Sequence, residues 1–315
     1  MELPAGYQLR APEPGNLDGV ASLLIADQLA DGGPVVLDAG FVRDEWSRAG
    51  FSLATDAWVV TDGAGTIAGY VQAMAEEPGT TICWGVVHPR HRGRGIGAAL
   101  VAQTQERAAR LPDGLSSGRL RHVINAADAA AADLLLASGL HLVRHFWHMQ
   151  IDLPAQADPG TMPDGIEIGG IQPATDLPLI KAVVDEAFAD HWEYHPEPDD
   201  QWVADQTGRP AYDPALWLLA TDAGKPAGAL IGHVAGDQGW VDYIAVLAAS
   251  RGRGAGAALL RRSFAMFAGR GIRRVVLAVD AQNATGATAL YERVGMRVVG
   301  RFDWWERPLG APGSE

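Results

Sequence analysis

Two arginine- and glycine-rich turns carry the residues whose types and spacing suit chemistry. Arg92, Gly93, Arg94, Gly95, Ile96 and Gly97 follow a strand-forming run that ends at Val86 and Val87. Arg251, Gly252, Arg253, Gly254, Ala255 and Gly256 follow Ile244, Ala245 and Val246 in the same way. After each turn comes an Ala/Leu-rich stretch with a helical pattern. Glycine takes backbone angles closed to other residues and lets an anion approach the main chain, while a helix starting there offers free N–H groups and a favourable dipole. The arginines add positive charge. A phosphate or pyrophosphate is what such a turn is suited to hold.

The elements around these turns repeat. Arg92 and Arg251 lie 159 residues apart, as do Trp58 and Trp217, and Gly69 and Gly228. Three landmarks sharing one spacing imply duplication of a whole domain. The first half reads as a strand at 7–10, a helix through 17–29 broken by the Asp-Gly-Gly-Pro at 31–34, a helix at 42–48, and a hairpin of strands at 57–61 and 67–73. A strand at 82–87 enters the turn, then come a helix from 96 to 110, a strand at 121–125, a helix at 129–137 and closing strands at 142–153. The second half repeats this with a strand at 166–171, helices at 177–188 and 199–207, a hairpin over 217–234, a strand at 239–246, a helix to 267, a strand at 275–279, a helix at 285–293 and a last strand at 298–307. The proline-bearing stretch between the halves reads as a linker. The expected domains are 1–153 and 165–308, with a linker at 154–164 and a frayed tail at 309–315.

The pattern Arg-x-x-Gly-x-Gly after a strand ending in Val, together with Asn283 and the run Leu290-Tyr291-Glu292-Arg293-Val294-Gly295, resembles the GNAT acetyltransferases. The resemblance covers nearly the whole chain, in tandem. It implies a mixed α/β (α+β) fold of two GNAT-like domains, each a mostly antiparallel mixed sheet flanked by helices. The implied activity is transfer of acetyl from acetyl-CoA to a primary amine. On the same resemblance the backbone of Ile244, Ala245 and Val246 meets the pantetheine arm and the acetyl carbonyl, residues Arg251 to Gly256 meet the pyrophosphate, and Asn283 meets the cofactor arm. Val86, Val87, residues Arg92 to Gly97, and Asn125 correspond in the first copy. Preset N–H groups of this kind also stabilise the oxyanion of acyl transfer.

Tyr291 stands where many members of the family place the acid that protonates the departing thiolate, a task a phenol of pKa about 10 can perform. Members with a glutamate base on the donor strand carry it six residues before the terminal valine, and here that position is Trp240. Asp242 lies two residues further, on the same strand face. It either accepts the ammonium proton, directly or through water, or only orients substrate. The first copy departs further. Leu135 stands in the tyrosine's place, and Thr81 and Cys83 where a carboxylate is wanted. Catalysis is therefore expected in the C-terminal copy, with the N-terminal one binding cofactor without turnover or serving structure.

From Ala182 to Gly208 there is no Lys or Arg, yet Asp185, Glu186, Asp190, Glu193, Glu197, Asp199 and Asp200 crowd with Trp192, Tyr194 and Trp202. The resemblance places this segment over the acceptor site, and acidic plus aromatic side chains suit an ammonium group. Trp192, Glu193, Tyr194 and Trp240 are the expected substrate contacts; a merely solvated acidic loop is the alternative. His191 and His195 stand four residues apart without a defined third ligand, so no metal site is expected.

Composition narrows the classes. A net charge of −13 disfavours nucleic-acid partners and is compatible with a cationic substrate. No apolar run approaches the roughly 20 residues of a membrane span, and the N-terminus lacks the basic and apolar regions of a signal peptide. A cytoplasmic enzyme acting on a small-molecule amine, as monomer or homodimer, is expected. Cys83, the single cysteine, allows no internal disulfide and reads as an inert buried thiol. Two rival readings remain: the spacing Gly252-x-Gly254-x-x-Ala257 loosely fits a dinucleotide turn, though one lying too deep in its domain, and the chain could be a non-catalytic acyl-CoA sensor.

Overall fold

The computed structural model describes residues 3–309 apart from 31, 33, 34, 36, 49, 78, 111–117 and 284, and apart from the side chains of 76 and 77. The helix break expected at 31–34 and the tail from 310 onward thus fall largely outside the described residues. The chain divides into two compact units, Met1–Trp147 with Val299–Glu315, and His148–Val298.

In chain order the first repeat comprises β1 (Gln8–Arg10), α1 (Leu17–Ala30), α2 (Ala39–Trp46), α3 (Leu53–Asp56), β2 (Ala57–Thr61), β3 (Ile67–Glu77), β4 (Thr80–Val87), α4 (Ile96–Ala109), β5 (Arg119–Asn125), α5 (Ala129–Ala137) and β6 (His141–Asp152). The second comprises β7 (Ile166–Gly170), α6 (Pro173–Phe188), α7 (Asp199–Gly208), β8 (Leu218–Asp222), β9 (Lys225–Ala235), β10 (Gln238–Val246), α8 (Ala255–Gly269), β11 (Arg274–Asp280), α9 (Ala287–Arg293) and β12 (Arg297–Pro308). Helix α6 starts at Pro173, four residues before the expected 177, because Pro173 suits the first helical turn; Pro178 lies inside the helix and leaves the Ala174 carbonyl without its intrahelical N–H.

In the first unit the strands pair in the order β1, β2, β3, β4, β5, β12, antiparallel except for β4 with β5. Successive residues serve opposite faces of this sheet. Val59 and Tyr70 pack with Val20, Leu24 and Val42 of α1 and α2, whereas Val60 and Val71 pack with Ile96 and Leu100 of α4. The second unit repeats the antiparallel run β7, β8, β9, β10 and the parallel pair β10 with β11. Phe267 of α8 lies under this sheet, where a Cβ on Gly239 would come within 2.7 Å of its ring. Phe188 of α6 covers the other face, 5.5 Å from the Tyr243 ring.

The units do not follow the division at 153 and 165 expected from sequence. Residues 299–308 of β12 count with the first unit, where Trp305 is buried among Val101, Leu135 and Leu140 and Glu306 accepts from buried Arg121 at 2.6 Å. The end of β6 counts with the second, its following residue Leu153 donating to the Arg273 carbonyl at 2.7 Å. Both closing strands are long and similarly patterned, so tertiary pairing decides which edge each one completes.

Candidate active site

The donor strand of each unit parts from its parallel neighbour halfway along. β10 pairs with β11 only over Gln238–Trp240, and β4 with β5 only over Thr80–Trp84. Beyond these points a gap opens on one edge of the strand while the hairpin partner holds the other. Leu247 donates to the Ala227 carbonyl at 3.0 Å, so alternation turns Ala245 toward β9 and leaves the N–H groups of Ile244 and Val246 facing the gap. The Ala245 carbonyl indeed lies 2.7 Å from where a Cβ on Gly228 would stand. In the first unit His88 donates to Ala68 at 2.9 Å, so Val87 faces the gap and Val86 is turned away. Of the expected backbone contacts, Ile244, Val246 and Val87 are presented to the gap, and Ala245 and Val86 are not.

At the end of each gap lies the glycine turn. Gly252 and Gly254 have φ of 76° and 87°, and Gly93 and Gly95 have 75° and 82°, left-handed angles that explain why glycine is required there. Gly254 and Gly95 cap α8 and α4 without a side-chain hydrogen bond, so the first-turn N–H groups of both helices, including those of Ala255 and Ile96, stay open to an anion. Gly256 and Gly97 have another task. A Cβ on either would lie 3.0 Å from Leu290 or Leu134, so they allow the following helix, α9 or α5, to dock.

The arginines divide differently in the two copies. Arg251 donates to the carbonyls of Val246 at 3.1 Å and Ala187 at 3.4 Å, neutral partners, and meets no carboxylate among the described residues. Arg253 is ion-paired with Asp222 and donates to the Asp164 carbonyl at 3.3 Å. In the first copy Arg92 meets Asp27 at 2.7 Å and Asp128 at 3.7 Å, while Arg94 donates to the Tyr7 hydroxyl at 3.1 Å and the Arg90 carbonyl at 3.3 Å.

Tyr291 sits on α9, which docks on α8 through Leu290 and Gly256, and is buried with no side-chain hydrogen bond among the described residues. Burial raises its hydroxyl above the ordinary phenol range, so it stays protonated and able to donate. Its counterpart Leu135 is sealed in the core. Asn283 uses its side-chain oxygen to hold the Thr285 N–H at 2.7 Å and its nitrogen to meet His191 Nε2 at 3.2 Å, which fixes the loop after β11. Asn125 similarly accepts from the Ala127 N–H at 3.0 Å.

Where the gap opens, β10 carries a bulge: Val241 pairs with Gly232 and Tyr243 with Ile231, leaving Asp242 as the extra residue. Trp240 pairs with His233 of β9, and the two rings stack at 6.3 Å with an angle of 11°. Asp242 shares that face and binds His233 Nδ1 at 2.8 Å, with Arg209 Nη1 at 3.7 Å. Burial alone would raise the Asp242 carboxyl, but His233 and Arg209 outweigh it and hold it below the usual carboxylate range. Asp242 is thus a firmly ionised anchor rather than a solitary carboxylate. His233 and Arg209 were not singled out from sequence; the signal was the histidine seven residues before Trp240 across a hairpin, and an arginine directly after the acidic segment.

The acidic segment also has a cation that the sequence reading missed. Buried Lys181 pairs with Asp185 and approaches Asp199 at 3.9 Å. Tyr194 donates to Asp185 at 2.5 Å, and desolvation together with that carboxylate raises its hydroxyl above the phenol range. Phe188, 5.7 Å from Tyr194, links the segment to Tyr243 of the donor strand. Glu193 holds φ of 55°, an uncommon angle for a side-chain-bearing residue, with His195 Nε2 at 3.9 Å. Trp192 beside it is half-buried. Among the described residues no group of three or more His, Cys, Asp or Glu side chains is placed to hold a metal, and no helix is long and apolar enough to cross a membrane.

Parted donor strands, open glycine turns and a duplicated mixed sheet define a tandem acetyltransferase. Residues 181–296 match the Acetyltransferase (GNAT) family and residues 54–135 an Acetyltransferase (GNAT) domain, and the chain belongs to this family of N-acetyltransferases. Mycothiol acetyltransferase of Cellulomonas flavigena is 32% identical over 275 residues, covering 81% of this chain and 76% of the relative. A GCN5-related N-acetyltransferase from Sphaerobacter thermophilus has a similar crystal structure, with TM-score 0.84, 31% identity, and coverage of 100% of this chain and 99% of that one. A tandem GNAT protein from the clavulanic acid biosynthesis pathway, at 21% identity and TM-score 0.70 over 98% and 100% of the chains, shares the fold. The tandem architecture is thus similar to that of mycothiol synthase.

Proposed function

We propose that this protein transfers the acetyl group of acetyl-CoA to the primary amine of a small cationic molecule, with the chemistry in the C-terminal copy. The observation that carries this reading is the second copy's combination of an open gap beside Ile244 and Val246, an uncapped glycine turn beside Arg251, and a protonated Tyr291 on the helix docked against that turn. The residues fit the donor. Open N–H groups and the Arg251 guanidinium suit a pyrophosphate, and strand N–H groups suit a pantetheine arm. As the amine attacks, the carbonyl's electron pair moves onto oxygen, where a preset strand N–H is placed to stabilise it. The C–S bond then breaks and Tyr291 supplies the proton to the departing thiolate.

Trp192, Glu193, Tyr194 and Trp240 are proposed to face the acceptor. Asp185 is already neutralised by Lys181; Glu193, whose carboxylate also meets His195 at 3.9 Å, and Glu197 are the carboxylates proposed to recruit the cation. A second reading, in which the acceptor is a mycothiol-related amine, draws on the 32% identity to mycothiol acetyltransferase. The test is thiol release from acetyl-CoA with polyamines, aminoglycosides and amino sugars against neutral and anionic amines. A cationic acceptor should be best, and its KM should rise with salt because charges beyond about 8 Å are screened at 0.15 M. Glu193→Gln with Glu197→Gln should flatten that dependence. A best acceptor of net negative charge would contradict the proposal.

A further inference from the structure

We infer that His233, held by Asp242, is the group that takes the proton from the acceptor's ammonium, and that Asp242 is its positioning residue. The inference rests on the reading that the C-terminal copy acetylates amines, and it starts from hydrogen-bond chemistry. An ionised carboxylate only accepts, so the 2.8 Å contact with Asp242 requires His233 to donate from Nδ1. A neutral imidazole that donates from Nδ1 presents a lone pair at Nε2. That nitrogen makes no hydrogen bond among the described residues, while the Trp240 face stacked against the ring fixes its plane.

Position supports the role. His233 lies opposite Trp240, the last residue at which β10 is joined to β11, so the ring stands where the gap opens. It is on the face that α6 covers, since the neighbouring Gly232 and Gly239 pack on Phe267 of α8 from the other side. The bulge at Asp242 turns Tyr243 to that same face, against Phe188 of the acidic segment. The dyad therefore shares one face with the segment proposed to recruit the amine. The other groups packed there are Arg209, shared with the Asp242 carboxylate, and His148 of β6, edge-on to Trp240 at 6.1 Å and pushed down to about 4 by burial. His148 is thus neutral and does not compete for the proton.

The step balances. The Nε2 lone pair removes one proton from R–NH3+, and the free amine forms the C–N bond as the carbonyl pair moves to oxygen. The bonded nitrogen then loses its second proton to solvent, the C–S bond breaks, and the thiolate takes the Tyr291 proton, which solvent restores. His233 releases its proton after turnover, leaving amide, thiol and one net proton.

Two measurements test this on the full chain. With histidine 15N-labelled and no substrate present, long-range 1H–15N spectra at neutral pH should show His233 protonated at Nδ1 and bare at Nε2, and Asp242→Asn should abolish that preference. With spermidine, kanamycin and glucosamine as acceptor probes, His233→Ala should lower kcat by about 10² while acetyl-CoA affinity by calorimetry is unchanged, and added imidazole should restore part of the loss. A proton found on Nε2, or wild-type kcat in His233→Ala, overturns the inference. If the wild type acetylates none of the probes, the proposed activity fails, and the spectra still decide the state of the dyad.

Discussion

β4 and β10 keep one register against their hairpin partners from the glycine turn back to Trp84 and Tyr243, with Val87 opposite Gly69 and Val246 opposite Gly228. Beyond that point they differ. β10 takes in an extra residue at Asp242, whereas β4 runs on regularly past Cys83 to Thr81, the irregularity of its hairpin falling on β3 between Ala75 and Glu77; Cys83 is buried with its thiol pushed above the usual range by desolvation. The bulge adds the Asp242 carboxylate beside His233, on the face where Tyr243 meets Phe188. In the first copy the corresponding face is filled. Trp84 packs 5.2 Å from Tyr70 and 5.3 Å from Phe41, and Glu45 accepts from Gln72 at 2.6 Å and Trp84 at 3.3 Å. Trp46 donates to the Tyr70 hydroxyl at 2.8 Å, closing the network. The two copies thus share the glycine turn at one end of the gap and differ in the side chains at the other, which is the basis for proposing chemistry in the second copy alone.

The comparison is most strongly tested at the acid. Tyr291→Phe keeps the ring and removes the proton, so kcat with any accepted amine should fall by about 10² while acetyl-CoA affinity holds. Leu135→Tyr in the first copy should not create activity, because the position lies in the core with Trp305; overpacking there should cost about 1–3 kcal/mol, seen as a lowered denaturation midpoint. A second active copy arising from that change would break the account.

A smaller effect separates the arginines. Arg251 rests on neutral carbonyls and Arg92 on carboxylates. Arg251→Ala should raise the KM for acetyl-CoA by about tenfold through loss of a charge-assisted phosphate contact. Arg92→Ala should leave that KM unchanged and lower stability by about 1–3 kcal/mol, since buried Asp27 loses this ion pair. Equal kinetic effects at both positions would erase the distinction between the copies.

Much of this was legible in the chain itself. The turns, the 159-residue repeat and the strand entering each turn follow from local pattern, and β2 and α5 fall at the residues expected. What pattern does not encode is long-range pairing. Whether β6 or β12 completes a given edge depends on contacts such as Arg121 with Glu306 across 185 positions of sequence. Regular strand alternation is the ground for putting Asp242 on the Trp240 face, and both residues do meet His233. It could not show that a bulge sits there, that His233 faces it across the hairpin, or that Lys181, one helical turn before Asp185, neutralises part of the acidic segment.

The central claim is that one copy works and the other does not, and paired glycine variants test it most directly. Gly254 and Gly95 both cap their helices at left-handed φ, so valine at either position strains the backbone and stands where a pyrophosphate would approach; at Gly254 it also meets Pro163, 3.2 Å from a Cβ there, so each variant is compared per folded protein. Turnover per folded enzyme and CoA affinity by calorimetry would be measured for each variant beside the wild type. The account predicts that Gly254→Val loses turnover and binding in the C-terminal copy while Gly95→Val keeps nearly all of its activity. Loss of about half the activity in each variant would show two working sites and contradict it.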